Sequence, residues 1–232
     1  MSTLILFDVD GTLILTGGAG GRAVRRAFAE LFQVGSFEAV PMAGRTDRWI
    51  FTELAARHGC STAPATLARL HDVYLRHLQR EIAVDVPGKG VLPGVATVLD
   101  VLDARADVQL GLLTGNIAEG ARVKLEHFGL WRYFRAGGFG DVALDRPALL
   151  TDALTSVARV HGVHYRAEDT VVVGDTPLDV EVAVRSGARS LAVATGMYTA
   201  EALHAAGADA VLTDLSNPAR VLDALGLPLT SV

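Results

Sequence analysis

The sequence predicts an α/β fold, a parallel sheet wrapped by helices, interrupted once by a helical insertion. Three observations predict it. Short apolar runs of strand length recur along the chain, stretches of helical length and periodicity separate them, and one long segment, 15–89, has helical patterns but no convincing buried strand. Leu4-Ile5-Leu6-Phe7 is the first run and stops at the turn-forming Asp8-Val9-Asp10-Gly11-Thr12. Runs apolar at every position read as strands covered on both faces. Similar ones follow at 108–113, 170–173, 190–193 and 210–212, with helices expected over 94–104, 117–128, 147–160, 177–186, 200–205 and 218–225. Within the insertion, helices are expected over 22–32, 47–58 and 65–82. Its borders are turn-rich, Gly17-Gly18-Ala19-Gly20-Gly21 on one side and Pro87-Gly88-Lys89-Gly90 on the other, as two linkers to a mobile lid would be. The division expected is therefore a core of 1–14 and 90–232 and a cap of 15–89.

Composition narrows the class of function. The chain has 232 residues, half of them hydrophobic, and a formal net charge of −5. That acidity disfavours nucleic acid and anionic membrane surfaces as partners, while leaving room for a local basic pocket. The lone Cys60 excludes an intramolecular disulfide. No apolar stretch approaches a membrane span, and Met1-Ser2-Thr3 carries no basic residue of the kind that precedes a signal-peptide core, so a cytoplasmic location is expected.

In an open parallel sheet, ligands bind beyond the C-terminal ends of the strands. The residues there are acidic. Asp8 and Asp10 follow the first strand, and Gly174-Asp175-Thr176-Pro177-Leu178-Asp179 follows Val171-Val172-Val173. If the two strands are neighbours, four carboxylates converge, and a hard divalent ion with oxygen ligands relieves their repulsion, Mg²⁺ being the natural candidate. A carboxylate is also a nucleophile toward phosphorus that needs no partner base at neutral pH. Taken singly, Asp-Gly and Gly-Asp read equally well as turn and N-cap pairs, a reading that weakens when they occur jointly at two strand ends. Thr114, after the run Leu112-Leu113 and before a helix, offers its hydroxyl and the amides of Gly115 and Asn116 to a phosphate oxygen; Asn116 also suits the cap of that helix.

These segments, Asp8-Val9-Asp10-Gly11-Thr12, Leu112-Leu113-Thr114-Gly115-Asn116 and Gly174 to Asp179, resemble in order and placement three motifs of the haloacid dehalogenase-like (HAD) hydrolase superfamily, and the resemblance covers the whole chain. The insertion is similar to the cap of its phosphoglycolate phosphatase and β-phosphoglucomutase branch. The resemblance implies a Rossmann-like core with Asp8 on the central strand. It implies Asp8 as nucleophile and Asp10 as general acid and base. Mg²⁺ would be held by the Asp8 carboxylate, the Asp10 backbone carbonyl and Asp175, with Asp179 acting through water or outside the direct ligands, and phosphate by Thr114. The third motif departs from the family pattern. Close relatives place Lys before Pro at the start of a helix, and this chain has Asp145-Arg146-Pro147, so the resemblance puts the phosphate-binding cation on Arg146. Lys124 is its rival, but its place mid-helix between Val123 and Leu125 reads as a solvated lysine.

The reaction implied is hydrolysis of a small phosphorylated metabolite through an aspartyl-phosphate, with 2-phosphoglycolate the family default. A β-phosphoglucomutase-like transfer and a non-catalytic phosphate-binding protein stay as alternatives; the first generally has a His where this chain has Gly17 to Gly21. Carbon–halogen hydrolysis is disfavoured because superfamily dehalogenases lack an acid at the position of Asp10. Other signals are weaker. Gly18-Ala19-Gly20-Gly21 loosely fits a dinucleotide fingerprint but does not directly join strand to helix. His161 with His164, and less convincingly His71 with His77, have spacing that could serve a metal, but both pairs read more readily as ordinary histidines, and no Cys or acidic cluster accompanies His161. Thr46 suits the cap of a helix within the insertion, which would let the adjacent Arg45 present a cation to an anionic substrate.

Overall fold

The computed structural model describes residues 2–38, 40–141 and 147–228. Strands β1 (Thr3–Phe7) and β2 (Ile14–Leu15) precede helices α1 (Ala19–Phe32), α2 (Asp47–Arg57) and α3 (Pro64–Glu81). The chain continues through β3 (Gly90–Val91), α4 (Val95–Asp103), β4 (Val108–Leu113), α5 (Ala118–His127), β5 (Gly137–Gly138) and α6 (Pro147–His161). It finishes with β6 (Thr170–Gly174), α7 (Pro177–Ser186), β7 (Arg189–Val193), α8 (Ala200–Ala205), β8 (Ala210–Leu212) and α9 (Pro218–Ala224).

Six strands form one parallel sheet in the order β5-β4-β1-β6-β7-β8, with β1 between β4 and β6. Successive side chains of β1 point to opposite faces, which explains its uninterrupted apolar run. Ile5 and Phe7 pack with Val98, Leu99, Leu125 and Leu225 on one side, and Leu4 and Leu6 with Leu149, Ala153 and Val182 on the other. Pairing of Phe7 with both Leu112 and Val173 brings the ends of β1, β4 and β6 level. That register places Asp8, Thr114 and Asp175 on one rim of the sheet.

β2 and β3 pair antiparallel, Ile14 opposite Val91 and Leu15 opposite Gly90, where the chain leaves the sheet layer and returns to it. Between them α1, α2 and α3 enclose a separate apolar cluster around Phe28, Phe51, Leu54, Leu70, Tyr74 and Leu78, and Ile117 of the core reaches into it. Burying side chains of this size stabilises the packed state by roughly 1.5–3 kcal/mol each. Glu81, at the end of α3, is paired with Arg22 and Arg26 of α1. No helix among the described residues is long and apolar enough to cross a membrane.

Two expectations are corrected here. The run Gly17 to Gly21 is not all linker: Gly18 sits in the left-handed region at φ 79° and α1 begins at Ala19, so Gly20 and Gly21 lie in its first turn. Gly20 faces Lys124 and Tyr74, and a methyl group there would stand 3.7 Å from the lysine Nζ. β5 was not expected, because two glycines carry no strand propensity; it is made by pairing with Leu112 and Leu113 and by the close packing of α6, whose Leu149 carbonyl would lie 2.2 Å from a Cβ on Gly138.

Candidate active site

The floor of the site is the turn after β1 and the turn after β6, which the sheet makes neighbours. Asp8 is buried, and its N–H donates to the Val173 carbonyl at 2.9 Å. Asp175 and Asp179 are buried with it, and one carboxylate oxygen from each of the three lies within 4.8 Å of the others. Thr12 donates its hydroxyl to Asp175 Oδ1 at 3.0 Å. Asp179 closes a capping box at the start of α7: its Oδ2 accepts the N–H of Thr176 at 3.0 Å and the Thr176 hydroxyl at 2.7 Å. Gly11, at φ 83°, and Gly196 press on Asp175, whose Oδ2 would be 2.4 Å and 1.8 Å from a Cβ at those two positions. Three buried carboxylates that offer only oxygen ligands fit a hard divalent cation.

Among the described residues a cation beside them is Lys124, contrary to the solvated reading. α5 turns Lys124 onto its buried side with Gly120, Ala121 and Leu125, and the side chain is 5% exposed. Its Nζ donates to Asp10 Oδ2 at 2.6 Å and to Asn116 Oδ1 at 2.5 Å. Burial opposes its charge, but Asp10 and Asp47 outweigh that penalty and hold it above the ordinary lysine value, so it is protonated. The missed signal was the helical period: Lys124 lies three residues after Ala121, on the apolar stripe. Arg146 falls outside the described residues.

Asn116 is drawn into the same network rather than capping α5. Its amide donates to Asp10 Oδ2 at 2.8 Å and to Thr114 Oγ1 at 2.8 Å, and the N-cap position of α5 belongs to Ile117. Thr114 is fully buried, with its N–H on the Gly138 carbonyl. The Gly115 carbonyl accepts the N–H of Asp47 at 2.7 Å.

Above this floor is a cavity of about 460 Å³ whose opposite wall is built by the cap, including Val24, Ile50, Tyr74 and Arg45. Arg45 is exposed, with its guanidinium 4.7 Å from the centre of the Trp49 ring, and Thr46 caps α2 by accepting the N–H of Trp49 at 3.1 Å. Asp47 is buried, and burial pushes its carboxyl up to about 6, against the pull of Lys124 and the Ile117 N–H. Of the weaker signals, His77 meets Glu30 at 2.9 Å, while His71 lies 4.0 Å from Glu119. His71 and Glu119 also share a neighbourhood with Asp141. Cys60 is a free thiol packed against the cap cluster, where Phe51 and Trp49 also sit.

The profile of the haloacid dehalogenase-like hydrolases matches residues 5–193. The chain belongs to that family. A phosphoglycolate phosphatase of Rhodospirillum rubrum is 30% identical to this hydrolase over 98% of this chain and 92% of its own length. A phosphoglycolate phosphatase of Synechococcus elongatus is 29% identical over 90% and 91%. Among solved structures, CbbY from Rhodobacter sphaeroides in complex with phosphate superposes with a TM-score of 0.71 at 23% identity, covering 94% of this chain and 96% of that one. That last likeness is one of fold. Together with the family match, the curated relatives make this hydrolase a phosphatase, the enzyme class expected from the residues.

Proposed function

We propose that this phosphatase hydrolyses a small phosphorylated metabolite through an aspartyl-phosphate on Asp8, with Mg²⁺ as cofactor. The observation that carries the reading is the meeting of Asp8 and Asp175 with the Lys124–Asp10–Asn116 network on the floor of one cavity, with the Asp179 carboxylate grouped behind Asp8 and Asp175. The Asp8 and Asp175 carboxylates and the Asp10 carbonyl would hold Mg²⁺, which when bound neutralises charge on the phosphoryl group. Asp8 attacks phosphorus as the bond to the leaving oxygen breaks, and Asp10 gives that oxygen a proton. Asp10 then takes a proton from the water that attacks the phosphoenzyme, and the bond between Asp8 and phosphorus breaks to release phosphate. Lys124 exchanges its contact with Asp10 for the phosphoryl oxygens, alongside Thr114 and the Gly115 and Asn116 segment. Residues 15–89 cover the cavity, and Arg45 faces the part of the substrate remote from phosphorus.

The size of the cavity and the names of the relatives make 2-phosphoglycolate the first substrate to assay. Phosphate release should be measured over small phosphomonoesters with Mg²⁺, after chelation, and with Ca²⁺. Release that vanishes on chelation, returns with Mg²⁺ and is poor with the looser-coordinating Ca²⁺ is the expected outcome. Full activity after exhaustive chelation would overturn the metal assignment.

A further inference from the structure

Helix α5 carries Lys124 and follows directly from Thr114–Asn116, yet no residue of its own caps its start. The side chain at its N-cap position is Ile117, which has no acceptor, and Asn116 is committed to Asp10, Thr114 and Lys124. The exposed ends of the backbone are satisfied from outside. Ala118 donates its N–H to Asp141 Oδ2 at 3.0 Å, and Ile117 donates its N–H to Asp47 Oδ2 at 3.0 Å. Asp47 is the first residue of α2 and therefore belongs to the cap.

The same few cap residues meet the core by other contacts. The Asp47 N–H donates to the Gly115 carbonyl and the Arg48 N–H to the Gly140 carbonyl. The Arg45 carbonyl lies so close to Gly115 that a Cβ there would be 2.1 Å from it, and Gly44 is pressed against Thr176 and Leu178. Within this clasp, backbone groups hold the cap in place, and the Asp47 carboxylate reaches the amide where the phosphate loop becomes a helix. A carboxylate suits that place, since it meets both an N–H that has no acceptor within the helix and the positive end of the helix. It also stands opposite Lys124 in charge.

We propose that Asp47 is a positioning residue: a cap-borne carboxylate that completes the start of α5 and so ties the seating of the cap to the shape of Thr114–Asn116 and the aim of Lys124. The inference rests on the reading of that segment as the phosphate loop. When the cap is seated, Ile117 N–H has its acceptor and the loop is held; when the cap leaves, the acceptor leaves with it.

The test uses the full chain with Mg²⁺ and three variants. Asp47→Ala should raise KM for a small phosphomonoester at least tenfold, weaken inorganic phosphate binding by calorimetry to a similar extent, and speed amide hydrogen exchange in 114–120. Asp47→Asn keeps an acceptor for Ile117 and should recover most of the KM and the exchange protection. Thr46→Ala removes the hydroxyl that caps α2 but keeps the Asp47 carboxylate, and should loosen 114–120 less than Asp47→Ala does. Wild-type KM and exchange in Asp47→Ala, an Asp47→Asn variant as impaired as Asp47→Ala, or equal loosening of 114–120 by Thr46→Ala would each overturn the proposal. If the wild type releases no phosphate from any ester, the reading of the function fails, while the exchange comparison still decides the role of Asp47.

Discussion

In the core a buried lysine, Lys124, stands among carboxylates; in the cap a buried carboxylate, Glu81, stands between two arginines. The two arrangements use the same forces and differ in what they face. Glu81, 6% exposed at its side chain, accepts from Arg22 Nε at 2.6 Å and from Arg26, and Arg22 also donates to the Gly17 and Glu81 carbonyls. That cluster is closed on itself and joins α1 to α3. At the rim of the sheet one lysine faces Asp10 and Asp47, with Asp8 and Asp175 beside them and Asp10 still 41% exposed toward the cavity. Carboxylates gathered at one rim repel one another, and a hard divalent cation relieves that repulsion. The cap cluster spends its charges on joining two helices, whereas the core turns its carboxylates and lysine toward a cavity that a ligand can enter.

The sharpest way to break this contrast is Asp8→Asn. Under the proposed mechanism it should remove phosphoenzyme formation and lower phosphate release by about 10³-fold or more while leaving the fold intact, as checked by radiolabel trapping and circular dichroism. A folded Asp8→Asn protein that turns over at the wild-type rate would end the assignment of the nucleophile. Next in size is Lys124→Ala, expected to lose on the order of 10²-fold in kcat/KM, since under the proposed mechanism it removes a positive charge that would meet the transferring oxygens. Arg146→Ala should lose less in the same assay. The reverse order would return the phosphate cation to the position that the family resemblance indicates.

The smallest effect belongs to the cap. Hydrogen bonding from Arg22, reinforced by Arg26 against the opposing cost of burial, holds the Glu81 carboxyl below the usual glutamate value. A lowered value in the folded state means that the stabilisation is present above the unfolded value near 4.5 and is lost as pH falls through the folded one. Glu81→Gln should therefore be less stable than wild type at pH 7, by about 1–3 kcal/mol. That difference should shrink as thermal unfolding is followed from pH 5 downward toward about pH 3. A gap that widens in acid would show that Glu81 is not held as an ionised partner of the arginines.

Much of the site was legible because its parts are local. Asp8, Asp10, Thr114 and Asp175 come at or just after the ends of apolar runs, with Asp179 in the first turn of the next helix, and a parallel sheet sends the ends of such runs to one rim whatever the details of packing. Lys124 was misread because its immediate neighbours in sequence are apolar, while the face it occupies is set three and four residues away, by Gly120 and Ala121. Asn116 was given to the helix start on propensity alone, and the competition of Asp10, Thr114 and Lys124 for its amide decided otherwise.

The sequence by itself determined the alternation of strands and helices, the three helices between β2 and β3 and the strand-end carboxylates, because each depends on periodicity or on residues adjacent in the chain. Only the tertiary structure decided the two-glycine edge strand β5, the turning of Lys124 toward Asp10, and the docking of Asp47 onto the Ile117 amide. Each of those joins residues distant in the chain through backbone groups or a single side chain. Such contacts carry no local pattern: their energy is a hydrogen bond or ion pair made by burial, and burial exists only once the sheet and the cap have packed.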